Sequence, residues 1–165
     1  ALVLGLHGLR GLARSQARPI LIAACAVFAI VLPLRFAETP AASQAESAIP
    51  WREFDRAAIE DAVRGGKTVF VDVTAEWCVT CLVNKRLVVE RGEVARRLVS
   101  GEVLAFRADW TRPDPRISAY LAEFGRYGIP FNAVYGPGAA GGLALPELLT
   151  EDAVLGAFAR AAARS

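Results

Sequence analysis

Two thiols with two residues between them, in Trp77-Cys78-Val79-Thr80-Cys81, carry the clearest chemistry in this sequence. They follow an apolar, β-branched run at 68–73 that holds a single carboxylate, Asp72. Residues 82–89 read as a helix, so Cys78 falls at a helix N-terminus. There the unpaired N–H groups and the positive end of the helix dipole favour a thiolate. Cys81 lies one turn further in, within reach of a disulfide. The pattern predicts thiol–disulfide exchange, with Cys78 attacking and Cys81 resolving. Asp72, alone on an apolar strand, is expected to have its pKa raised by desolvation and to accept the Cys81 proton.

Other uses of two such thiols are narrowed by what surrounds them. A zinc site needs four ligands, and the remaining candidates are Cys25, inside an apolar run, and His7, far away. Covalent haem attachment wants a histidine directly after the second cysteine, where Leu82 stands. Copper(I) needs only two soft thiolates, so a copper(I)-binding module of a metal-tolerance system stays open as the alternative. Inert core thiols are disfavoured by Glu76 and Trp77 just before the pair, at an exposed strand end. Metal is not expected, and the only redox group needed is the Cys78–Cys81 couple.

The 165 residues leave room for one domain of roughly 100–120 residues with appendages. The lack of Met and the start at Ala1 suggest a piece of a longer chain. Of the 19 basic and 17 acidic residues, Arg10, Arg14, Arg18, Arg35, Glu38 and Glu46 precede residue 51, leaving 15 of each sign beyond it. That balance implies no basic face and no nucleic-acid partner.

The first fifty residues differ in kind. Residues 19–34 carry no charge and are bracketed by Arg18 and Arg35. As a helix the run reaches about 24 Å, which arginines snorkelling at both ends can extend towards the hydrocarbon thickness. Residues 1–18 are expected to be a basic, cytoplasmic-side flank ending an earlier membrane segment. A transmembrane helix at 19–35 is favoured over a secretory signal, because 1–9 is already apolar. The arginines on its N-terminal side put the C-terminal part outside the cytoplasm. Cys25 reads as a small apolar residue within that helix. Residues 36–50, rich in Ala, Ser, Pro, Thr and Glu, read as a flexible linker.

From residue 51 the pattern alternates between helix and strand. An amphipathic helix is expected over 51–64, ending at Gly65-Gly66, and then the strand and helix around the cysteines. A second strand is expected at 103–108, and a helix capped by Asp114-Pro115 runs to Phe124. Strands at 131–135 and 143–145 and a helix from Thr150 to residue 164 complete an α-β-α-β-α-β-β-α order. That is an α/β sheet flanked by helices.

This order, with WCxxC at the end of the first central strand, resembles the thioredoxin fold over 51–165. Asp72 stands six residues before Cys78, where thioredoxins carry a buried acid, and Ile129-Pro130 matches their cis-proline loop. More closely, 71–81, Ala108-Asp109-Trp110-Thr111 and 124–131 resemble the C-terminal periplasmic domain of DsbD-type thiol:disulfide interchange proteins, including ScsB-like relatives. The resemblance implies a protein-disulfide reductase on the periplasmic face of a bacterial inner membrane. Its implied partners are an upstream membrane-embedded electron carrier of the same protein and periplasmic thioredoxin-like or other disulfide proteins. It also implies that Pro130 is cis and faces the sulfurs, that the Ile129 backbone pairs with an extended substrate segment, and that Trp77 covers the disulfide's flank. Trp110 and Tyr127 read as frames of a partner groove or as core plugs. Some of these relatives carry an acid seven residues beyond the first cysteine, where this chain has Lys85.

Overall fold

The computed structural model describes residues 48–163. The expected basic flank at 1–18, the membrane helix at 19–35 and the linker up to residue 47 lie outside the described residues. Ile49 is already buried in the core of the folded domain.

A five-stranded sheet organises the domain: β1 (Arg52–Glu53), β2 (Thr68–Thr74), β3 (Val103–Asp109), β4 (Phe131–Gly136) and β5 (Ala139–Ala144), in the order β1-β3-β2-β4-β5. β2 runs parallel to β3 and antiparallel to β4, so it is paired on both edges. Both its faces are covered as well, which is why it reads as a nearly continuous β-branched and aromatic run. Val69, Val71 and Val73 point to one layer, against Ile59 of α1 (Arg56–Arg64) and Ile117, Tyr120 and Leu121 of α4 (Pro115–Glu123). Phe70 points to the other. There it meets Val94 and Leu98 of α3 (Gly92–Val99) and Val154 and Phe158 of α5 (Glu151–Ala162). The sheet is thus sandwiched between two helical layers, as expected of a thioredoxin-like α/β fold.

Several elements depart from the sequence reading, β5 among them, which begins at Ala139 where a strand is expected only from 143. The expected helix at 51–64 begins only after Asp55, whose carboxylate accepts the N–H groups of Ala57 and Ala58 as an N-cap. Before it, Arg52 and Glu53 pair with Phe106 and Arg107 to form the short edge strand β1. The helix after the cysteines is α-helical only over α2 (Val79–Asn84) and becomes a π-helix over Lys85–Val89. A separate α3 then follows, because Gly92 takes a φ of +56° and breaks the helix path. Arg97 is half-buried and paired with Glu93 and Glu102.

Candidate active site

β2 delivers its C-terminal end to the cysteines. The chain leaves the strand at Thr74, and Cys78 takes an extended conformation as the N-cap of α2. Its Sγ accepts the backbone N–H of Cys81 at 3.2 Å, so the sulfur occupies the place an N-cap oxygen usually fills. The two cysteines form a disulfide with an S–S distance of 2.03 Å. As residues they are 7% and 5% exposed, so burial barely separates them. What separates them is position: Cys78 faces the helix N-terminus and Cys81 sits inside the first turn.

Around the sulfurs the structure gathers Ala75 and Ile129 in one packed cluster with the two cysteines. The Ile129–Pro130 peptide bond is cis, as the resemblance implied, and brings the loop before β4 to this packing group. Trp77 is exposed, and its indole N–H donates to the Thr111 carbonyl at 3.2 Å. Thr111 also accepts the Glu76 N–H at 3.0 Å through its hydroxyl, so the β3–α4 connection braces the segment before Cys78. Trp110 packs into the α1/α4 core layer as a plug, whereas Tyr127 is 83% exposed.

Asp72 is buried two residues before the end of β2. Its register partners are Arg107 on β3 and Asn132 on β4, so the sheet sets a cation and an amide on either side of it. The Asn132 amide donates to the Asp72 carboxylate at 2.9 Å. Burial pushes the Asp72 carboxyl up from its ordinary value, partly offset first by the Asn132 hydrogen bond and then by the Arg107 and Lys85 charges. The carboxylate lies on the strand that leads to the cysteine pair.

Sequence reasoning missed Asn132 and Thr111. Asn132 had a signal, being the lone polar residue in the apolar stretch Phe131–Gly136. Thr111 lay in a motif that attracted notice without a role.

The sequence profile of the thioredoxin-like family matches residues 51–137. The chain belongs to the thioredoxin-like family. The thiol:disulfide interchange protein DsbD 1 of Pseudomonas aeruginosa is 33% identical over 82 residues, covering 50% of this chain and 14% of that protein. This chain therefore spans only a small part of that relative's length. Among solved structures, the C-terminal domain of Neisseria meningitidis DsbD is similar in its oxidised form at a TM-score of 0.52 and 23% identity, over 64% of this chain and 91% of that one. Its reduced form gives 0.52 and 24%, over 67% and 99%. A mutant thioredoxin of Halobacterium salinarum gives 0.51 and 15%, over 73% and 98%. At these identities the structures establish the thioredoxin-like fold.

Proposed function

We propose that this thioredoxin-like domain is a protein-disulfide reductase of DsbD type. It would be tethered to a bacterial inner membrane by 19–35 and pass electrons from an upstream membrane-embedded dithiol to periplasmic disulfide proteins. The observation that carries the reading is the Cys78–Cys81 disulfide closed at a helix start, with the Cys81 N–H aimed at Cys78 Sγ. In the reduced state that N–H and the helix dipole favour Cys78 as thiolate. The thiolate attacks one sulfur of a substrate disulfide, forming a mixed disulfide and releasing the first substrate thiolate. Cys81 then loses its proton to the Asp72 carboxylate and attacks Cys78 Sγ, closing the intramolecular disulfide and releasing the second thiolate. Two electrons leave the domain, and the upstream dithiol returns them by the same exchange.

Substrate binding falls to Ile129, Pro130 and Trp77, which the fold brings to the same end of the sheet as the sulfurs. The tether and its orientation are supported by the uncharged run at 19–34, its arginine-rich N-terminal flank and the DsbD similarity. The test is reduction of insulin by the purified chain, expected to be lost in Cys78→Ser. Activity retained in that variant refutes the nucleophile. Tight copper(I) binding with no dithiol–disulfide cycling refutes the reductase and identifies a metal-tolerance module.

A further inference from the structure

Between the end of β2 and the start of α2 the chain makes one tight turn. The Cys78 N–H bonds to the Ala75 carbonyl at 3.1 Å, which leaves Glu76 and Trp77 at the corners. Surface turns are mobile unless something ties them down. Here both corners are tied to one residue of the β3–α4 connection. The Thr111 hydroxyl accepts the Glu76 N–H at 3.0 Å, and the Thr111 carbonyl accepts the Trp77 indole N–H at 3.2 Å.

Thr111 is itself held in place. The Trp110 N–H bonds to the Thr74 carbonyl at 2.7 Å, which carries the β2–β3 pairing one residue past the end of β3. The Thr111 N–H then bonds to the Asp109 carboxylate at 2.8 Å and fixes the turn out of that strand. A chain of hydrogen bonds therefore runs from the sheet, through Thr111, to the residue beside Cys78. Trp77 is 60% exposed although its one polar group is already bonded. An indole has a single donor and no acceptor, so this ring offers a partner an apolar face and no hydrogen bond. An aromatic ring with two side-chain torsions, pinned at its N–H, gives contact area at little entropic cost.

We propose that Thr111 is a positioning residue for exchange with protein disulfides: it holds Trp77 as a preorganised apolar wall next to Cys78, against which the segment around the substrate's disulfide packs. The inference rests on Cys78 being the nucleophile of a reductase. Thr111 touches no reacting atom; it acts through Trp77, on docking and not on the sulfur chemistry. A small disulfide, having no polypeptide segment to lay on the wall, gains little from it.

The test measures single-turnover oxidation of the reduced 165-residue chain by insulin and by a small aromatic disulfide, with the remaining thiols counted by alkylation. Thr111→Val removes the hydroxyl and keeps the side chain's shape, whereas Thr111→Ser keeps the hydroxyl. Trp77→Phe keeps a ring and removes the indole donor. Thr111→Val and Trp77→Phe should each lower the ratio of the insulin rate to the small-disulfide rate roughly two- to tenfold, and Thr111→Ser should restore it. In a Trp77→Ala background, Thr111→Val should lower the ratio no further, because the residue it positions is gone. A brace that serves only the fold predicts an unchanged ratio, or a loss in Thr111→Val that persists in Trp77→Ala. Either result overturns the proposal. Should Thr111→Val not fold, Trp77→Phe at its exposed position decides: a ratio equal to that of the unaltered chain overturns the proposal. Failure of the reductase reading looks different, since the unaltered chain would then reduce neither substrate, or Cys78→Ser would still reduce both.

Discussion

Asn132→Leu tests the chemistry assigned to Asp72 most directly. The substitution keeps a side chain of comparable size in a buried strand and removes the amide donor to the carboxylate, a hydrogen bond of 2.9 Å between two buried groups. Hydrogen bonds to charged groups contribute about 1.5–3 kcal/mol, which favours the ionised acceptor by roughly 10- to 150-fold. Without it the carboxyl moves further up, so the protonated form, which accepts nothing, persists to higher pH. When the reduced chain reacts with a chromogenic aromatic disulfide in stopped flow, the second thiolate release, which reports resolution by Cys81, should therefore slow by about that factor on the acid limb and recover at alkaline pH. The first release, which depends on Cys78, should change little. Asn132→Ser, whose short hydroxyl does not reach across the same gap, covers the case in which leucine does not fit. Circular dichroism confirms that the fold is intact. A folded variant whose acid limb stays in place refutes the coupling between Asn132, Asp72 and Cys81.

Three further outcomes are expected. Cys81→Ala should accumulate a mixed disulfide through Cys78 with its substrate proteins, visible as a shift on a non-reducing gel that Cys78→Ser abolishes. Asp72→Asn should raise Tm at neutral pH and not in acid. An acid whose folded pKa is raised contributes stability fully present below its unfolded value, near 3.8, and lost as pH rises through the folded value. The Tm difference should thus be near zero at about pH 3 and positive at about pH 8, and a gain independent of pH would contradict the buried-carboxylate account. Gly92→Ala puts a Cβ 2.5 Å from Glu151 Oε1 at a φ of +56°, and displaces the carboxylate that accepts the Glu93 N–H at the start of α3. A left-handed alanine and a lost cap together cost about 2–3 kcal/mol, a Tm fall of roughly 6–12 °C, with exchange rates in the folded protein unchanged.

How much of this was legible in the sequence depends on how local each signal is. The cysteine pair, its strand, the Asp114-Pro115 start of α4 and the Thr150 cap of α5 are written within a few adjacent residues, and the structure places them as read. The start of α1 was legible too, since Asp55 is a good cap. It was overrun because the apolar spacing from Trp51 onward suited a helix and nothing local told of β3 waiting to pair with Arg52 and Glu53. Asp72 was found from its isolation in an apolar run. Its flanking by Arg107 and Asn132 was not, because strand register is set by pairing between segments 35 and 60 residues away.

The Lys85–Glu90 pair marks where local reading ends for a physical reason. Helical periodicity assumes a constant pitch, and at that pitch residues 85 and 90 face apart. The actual turn is set by packing: Val89 is buried in the α3/α5 layer, while Asn84 bonds to the Glu147 carbonyl and the Leu149 N–H and fixes the end of α2. With both ends of the stretch anchored, a π turn lets Val89 face the core and brings Glu90 over Lys85. Lys85 stands out in the sequence because some related domains carry an acid there. The structure gives that position a cation paired with Glu90 across the π turn.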